Sequence, residues 1–297
     1  MLSFKAQAAL EYLTTYGWMI LVLMVVAGAL YYIGVFSGNT FSAKAQPGGC
    51  QVYRPYGPWT TQLITLQGLC SNLQPKTVGG FNGQSSYVGT GITGLPLGDS
   101  ARTVLAWIYC AGSSPSSRST VYGYGNYNGG IGEGAALEML PYGNYCTPYF
   151  ETDILNAIDV YTVPSNQWSL VGYTYAAGAS SITFYTNDNQ YSVGLGGQLN
   201  TQLPSSDKAD IGKDSGGMGY NFNGSIADVQ VYNTSLSANT IKQMYIEGIG
   251  GVPINLQNLV GWWPLNSDVN DYSGNGNNGA ANSIAFLSNW MNGYVTP

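Results

Sequence analysis

The stretch that most constrains this chain lies near its start. From Leu13 to Phe36 run 24 residues without a charge (LTTYGWMILVLMVVAGALYYIGVF). As one helix, that length can cross a hydrocarbon layer. Its apolar side chains fall at every angular position, as in a helix surrounded by lipid or by other helices. A helix over residues 7–37 is therefore expected, and Gln7–Phe36 alone would measure about 45 Å at 1.5 Å per residue. Gly17, Gly28 and Gly34 would let neighbouring backbones approach closely. Glu11 stands just ahead of the run, where an ionisable group is costly enough to imply a partner. Residues 38–49 are small and polar and end in Pro47-Gly48-Gly49, the chemistry of a linker.

From Cys50 onward short apolar or aromatic runs alternate with Gly, Asn, Ser and Pro clusters, the pattern of one β-sandwich or jelly roll over residues 50–297. Strands are expected at Gln62–Leu66, Ser86–Val88, Thr103–Cys110, Ser119–Tyr124, Trp168–Tyr175, Ser181–Thr186 and Ser225–Tyr232. A short helix is expected at Ala238–Ile246, capped by Ser237, with Ile241, Met244 and Tyr245 on its apolar side. Only 8% of residues are charged, against the usual quarter or so. Hydroxyls and amides must therefore solvate the surface. The net charge of −6 offers no basic stripe for nucleic acid. With no histidine, Ser–His and Cys–His triads are excluded.

Cys50, Cys70, Cys110 and Cys146 all follow the helix. An even number in an exported domain favours disulfides, with three pairings possible. The pairing local in sequence, Cys50–Cys70 with Cys110–Cys146, is favoured; no CxxC spacing points to a metal.

The N-terminal residues then carry a resemblance. The apolar run is too long for an ordinary secretory signal, and no A-x-A site follows it. Gln7-Ala8-Ala9-Leu10-Glu11-Tyr12-Leu13, after a short leader containing Lys5, resembles the class III signal of archaeal type IV pilins. The resemblance implies a cleavable leader over residues 1–6, cut between Ala6 and Gln7 by a prepilin peptidase. Glu11 then becomes the fifth mature residue and meets the new amino terminus of Gln7 during assembly. It also implies a membrane-inserted precursor and, with the pilus assembly machinery, a homopolymeric surface filament whose core is the helix.

Three stretches of the exported domain resemble laminin-G-like, concanavalin A-type jelly rolls: Phe81–Val88 with Arg102–Ile108, Gln167–Tyr175 with Ile182–Tyr185, and Phe222–Tyr232 with Leu236, Ser237 and Ile241. Leu259–Leu265 with Asp271–Gly279 is similar to that family's first strand and loop, yet here it comes last. A circular permutation, a strand donated to a neighbouring subunit and a truncated second repeat all fit. The two resemblances together imply a long hydrophobic helix carrying an all-β sandwich, a structural filament subunit displaying its domain for adhesion. The alternative is a single-pass membrane-anchored lectin or adhesin that never polymerises; a pseudopilin is a third, minor option.

Laminin-G-like domains often bind calcium or sugars. Asp268, Asp271, Asn275 and Asn277 cluster on one loop, and Asp228 starts a strand that could approach it, so calcium is a candidate ligand there. Asn-Gly and Ser-Gly turn chemistry accounts for the same residues without metal. A glycan is the candidate surface ligand. Asn223 and Asn233 head N-glycosylation sequons, although Asn223 also fits a turn motif. No cofactor is certain and no enzyme is expected. Glu133 and Glu138 flank a Gly-Ala run, Glu151 and Asp153 adjoin an expected loop, and neither pair shows the strand alternation a glycosidase needs.

Overall fold

The computed structural model describes residues 4–32, 49–70, 74–91, 93–112, 117–127, 129–203, 209–216 and 218–297, with helix side chains given for residues 16–30. It divides into two units, Met1–Gln46 and Pro47–Pro297.

The first unit is one helix, α1, Phe4–Tyr32. It begins earlier than expected, and its expected end and nearly all of the linker lie outside the described residues. The backbone of Ala6, Gln7 and Glu11 falls within α1, while their side chains lie outside the described residues. Trp18 and Met24, on different sides of the helix, are each 70% exposed within this unit. Among the described residues no helix is long and apolar enough to cross a membrane.

The second unit is built from β1 (Cys50–Tyr53), β2 (Thr65–Gly68), β3 (Val78–Asn82), β4 (Tyr87–Thr90), β5 (Arg102–Cys110), β6 (Ser119–Gly125), β7 (Gly134–Tyr142), β8 (Tyr145–Glu151), β9 (Ala157–Ile158), β10 (Val163–Pro164), β11 (Trp168–Tyr175), β12 (Ser181–Thr186), β13 (Asn189–Gly194), β14 (Ala209–Ile211), β15 (Asn223–Tyr232), α2 (Ala238–Glu247), β16 (Leu259–Trp263), β17 (Ala280–Asn282) and β18 (Ala285–Leu287). Two eight-stranded sheets face each other. The back sheet runs β13-β12-β11-β5-β15-β3-β18, with β16 also on β15; the front sheet runs β10-β8-β7-β6-β14-β4-β17, with β9 also on β8. This is an all-β jelly-roll sandwich.

Strands β11 and β12 occupy the residues their sequence pattern indicates. The run at Gln62–Leu66 does not: Leu63 takes a positive φ of 53°, a conformation strands do not use, and pairing starts only at Thr65. Strand β15 is paired on both sides. Along one edge lies β5; along the other, β3 covers residues 223–226 and β16 covers residues 229–232. The candidate first family strand thus pairs within its own chain. The C-terminal segment continues into both sheets, β17 beside β4 and β18 beside β3.

Between the sheets lies a core that includes Val104, Tyr122, Leu137, Phe150, Tyr173, Phe184 and Trp263. A second apolar cluster joins the outer surface of the back sheet (Leu105, Trp107, Trp168, Leu170) to Val52, Ile241, Met244 and Trp290. The Ser237 side chain accepts from Thr240 N to cap α2. Disulfides join Cys50 to Cys70 and Cys110 to Cys146. The first closes β1 against β2; the second ties β5 of the back sheet to β8 of the front sheet. Two such bonds place the domain in an oxidising compartment.

Trp263 of β16 is fully buried, stacks on Tyr122 at 5.9 Å and donates Nε1 to the Asn277 carbonyl at 3.0 Å. Trp263→Ala should cost about 3–5 kcal/mol in denaturant unfolding. A loss below about 1 kcal/mol would mean that β16 does not complete its own sandwich.

Candidate ligand-binding face

The front sheet carries chemistry on its outer surface. In β8 the sequence YCTPYFE alternates: Cys146 and Phe150 point into the core, so Tyr145, Thr147, Tyr149 and Glu151 face outward. In β7, Leu137 and Met139 are core residues, which turns Glu138 outward between them. Glu138 lies opposite Tyr149 and Ala136 opposite Glu151, making the two acids diagonal neighbours on one face. This corrects the expectation of acids outside strands. Pro141 and Pro148 disguise the hairpin, because proline reads against a paired strand.

Arg118, just before β6, joins the two acids. Its guanidinium forms an ion pair with Glu151, and Nη1 lies 3.7 Å from Glu138 Oε2. The same group sits over the rings of Tyr149 and Tyr220, 4.6 and 5.3 Å from their centroids. Glu138 is fully buried; Oε1 accepts from Thr120 Oγ1 at 2.9 Å, whereas Oε2 accepts no hydrogen bond. Burial pushes the Glu138 carboxyl up to about 8, with Thr120 and Arg118 opposing the rise and Glu151 adding to it. Burial also raises Glu151, against the pull of Arg118. At neutral pH Glu138 is therefore largely protonated, and the charged pair on this face is Arg118–Glu151.

Beyond the cluster the hairpin presents more aromatic surface. Tyr142 and Tyr145 lie directly opposite each other at its closed end, 84% and 53% exposed. Tyr145 and Tyr149 are four residues apart, roughly 13 Å along a strand. Ile158 of β9 pairs with Tyr149 and is itself exposed. The outcome is a strip of aromatic rings ending in an ion pair.

The expected calcium ligands are placed differently. Asp271 Oδ1 accepts from Trp262 N and Ser273 N, and Oδ2 from Asn277 N and Ser273 Oγ, at 2.8–3.0 Å. Asn275 bonds to Trp59 N and to the Leu259 carbonyl, and Asn277 to both backbone groups of Thr93. Asp228 sits inside β15 at a bulge rather than starting the strand, and accepts from Trp262 Nε1 and Gln230. Burial pushes its carboxyl up to about 7. Asp268 accepts from Tyr272 Oη and Asn270 N. Asp228 and Asp271 both accept from Trp262, from its indole N–H and its backbone N–H respectively. Among the described residues no group of three or more His, Cys, Asp or Glu gathers as a metal site.

The remaining candidates lie apart from the strip. Glu133 accepts from Asn126 in the loop before β7, and Asp153 occupies the turn after β8 with φ 97°. Asn233 is exposed at the turn leaving β15, whereas Asn223 is part of the β15–β3 ladder. Sequence reading missed Arg118, Tyr149 and Tyr220. The alternation of YCTPYFE was the available signal for Tyr149, while the serine-rich run around Arg118 gave none.

The front sheet of the jelly roll thus carries an aromatic and charged outer face. The profile of the concanavalin A-like lectin/glucanases superfamily matches residues 82–242, and the chain belongs to that superfamily. The match ends before β16. Among solved structures, a protein of Bacteroides ovatus ATCC 8483 described as carbohydrate binding superposes with a TM-score of 0.55 at 19% identity, over 75% of this chain and 62% of its own. The present chain thus spans a little under two thirds of that protein. The heptameric SAP-like pentraxin of Limulus polyphemus superposes with a TM-score of 0.51 at 13% identity, over 72% of this chain and 96% of its own. These likenesses show the fold. No curated protein matches the sequence.

The raised carboxyls set a pH dependence. Glu138 and Asp228 hold their protons more tightly folded than unfolded, so the stability they contribute is full below about pH 4 and is lost as pH rises through about 7–8. Tm should therefore rise by about 5–10 °C from pH 8.5 to pH 5. Glu138→Gln should flatten much of that slope in calorimetric scans, and an unchanged slope would show that Glu138 is ionised in the fold.

Proposed function

We propose that this protein is a surface-displayed, lectin-like binding protein whose front sheet takes an extended glycan, held at the cell surface through α1. The aromatic strip Tyr142–Tyr145–Tyr149, ending at Arg118 and Glu151, carries this reading. Exposed rings stack on sugar faces, and a charged pair supplies both donors and acceptors to hydroxyls. Superfamily membership and the likeness to a protein described as carbohydrate binding support it. Binding is favoured over hydrolysis because Glu138 is sealed from solvent with Arg118 between it and Glu151. A glycosidase must instead present two carboxyls to one bond.

A second reading keeps the same display but gives α1 another task. Gln7 and Glu11 are four residues apart in α1, hence on one face. That placement suits a subunit cut after Ala6, whose Glu11 meets a new amino terminus as helices bundle into a filament. Glu11→Ala should then remove the protein from sheared surface fibres while leaving it in membranes; fibres unchanged in amount would leave the anchored lectin.

The binding reading is tested on a glycan array with the full chain in a detergent that contains no sugar. Saturable binding to an oligosaccharide is expected, weakened at least about tenfold, or 1.4 kcal/mol, by Tyr145→Ala with Tyr149→Ala. Affinity that survives both substitutions would remove the strip from the account.

A further inference from the structure

In an asparagine followed by glycine, the glycine N–H can attack the asparagine carboxamide with no Cβ obstructing the approach. The chain holds six such pairs, at 82–83, 128–129, 223–224, 275–276, 278–279 and 292–293, and the structure describes both residues of all but the second. Reaction requires a carboxamide and a glycine N–H that are both free to move. We infer that Asn292–Gly293 is a site of spontaneous deamidation, and that the fold protects the other four described pairs.

Each protected pair is held by named contacts. Asn82 Oδ1 accepts from the backbone N–H groups of Gln84, Ser85 and Ser86, and Gly83 N donates to the Phe222 carbonyl at 2.9 Å. Asn223 and Gly224 belong to β15, where β3 pairs with both and β5 with Gly224. Asn275 is buried; its Nδ2 donates to the Leu259 carbonyl at 2.7 Å and its Oδ1 accepts from Trp59 N at 3.0 Å. Asn278 Oδ1 accepts from Asp271 N at 3.0 Å, and Gly279 N donates to the Val269 carbonyl at 2.8 Å.

The last pair is unlike these. Asn292 is exposed, and among the described residues neither its carboxamide nor Gly293 N has a hydrogen-bond partner. Tyr294 N donates to the Met291 carbonyl at 3.1 Å, which puts Asn292 and Gly293 at the centre of a β-turn, and Gly293 takes the positive φ of 77° that a type II turn requires. The peptide plane between the two residues is therefore the part that must rotate to bring Gly293 N against Asn292 Cγ. The fold also keeps a glycine there: a Cβ would stand 3.0 Å from the Tyr109 ring and 2.5 Å from the Asn166 carbonyl oxygen. A bulkier neighbour, which would slow the attack, is excluded by packing.

In the reaction Gly293 N bonds to Asn292 Cγ and the Cγ–Nδ2 bond breaks. The carboxamide NH2 leaves with the proton lost from Gly293 N as ammonia, and a cyclic succinimide remains. Water opens that ring at either carbonyl, giving aspartate or isoaspartate, and no electrons are transferred. Both products add a carboxylate to the surface. Isoaspartate also lengthens the main chain by a methylene, between two anchors of the C-terminal segment. Trp290 Nε1 donates to the Pro75 carbonyl at 2.9 Å, and the Gly293 carbonyl accepts from Trp168 N at 3.0 Å.

The full chain in detergent is incubated in mildly alkaline buffer, folded or unfolded in urea, and conversion at each Asn–Gly pair is followed over time by peptide mass spectrometry. In the folded chain Asn292 should convert at least about tenfold faster than Asn82, Asn223, Asn275 or Asn278. In urea the five rates should converge, because the protecting contacts are gone. Asn292→Gln, which enlarges the ring that must close, should abolish conversion in that peptide. An intact Asn292 in the folded chain, or a ranking of the five pairs that urea leaves unchanged, would overturn the inference.

Discussion

The sandwich depends on how the free edge of β15 is shared. A ten-residue strand at the middle of the back sheet needs partners along its whole length, and β5 supplies them on one side. On the other side two short strands, β3 and β16, far apart in sequence, divide the edge between them. A register shift between Ala227 and Gln230, with Asp228 at φ 51°, marks the division. A bulge of this kind turns one side chain out of the alternation. Here it delivers the Asp228 carboxylate to the Trp262 indole at 2.7 Å. Because β16 must arrive there, the C-terminal segment is drawn across the domain. Its 271–277 loop packs under Arg54, which donates to the Ser273 and Leu259 carbonyls, and β17 and β18 then enter opposite sheets.

That arrangement makes the two outer surfaces unlike. The back sheet receives α2, the β1–β2 hairpin and the C-terminal residues, so its aromatic side chains are largely used in packing. The front sheet keeps an open hairpin, and polar or aromatic residues accumulate there. Arg118 between Glu138 and Glu151 is a partly buried network in which one acid is protonated and the other paired. Burying a lone carboxylate would cost several kcal/mol. The raised Glu138 carboxyl is how the fold avoids that cost at neutral pH.

Much of the sandwich was legible in the sequence. β11 and β12 could be read to the residue because each is a β-branched and aromatic run bounded by turn residues. The family likeness gave the order of the middle strands, and sequence proximity gave both disulfides. The β7–β8 hairpin was not legible: Pro141, Pro148 and two acids look like loop chemistry, and only cross-strand pairing shows that the prolines are tolerated and the acids adjacent. The cluster of Asp and Asn residues near the C terminus was visible, but its partners were not: Asp271 accepts from Trp262 N and Asn277 N, and Asp228 from the Trp262 indole, contacts that only the fold brings together. Arg118 could not be found from sequence, since its importance comes from strands β7 and β8 folding beside it.

The measurement closest to the central claim is tyrosine footprinting. The full chain is exposed to hydroxyl radicals with and without the best-bound oligosaccharide, and modification is read residue by residue by mass spectrometry. Protection of Tyr142, Tyr145 and Tyr149, with Tyr53 and Tyr56 unchanged, is the expected result. Protection at Tyr272 with none on the β7–β8 hairpin would contradict the account and move the ligand to the C-terminal loop.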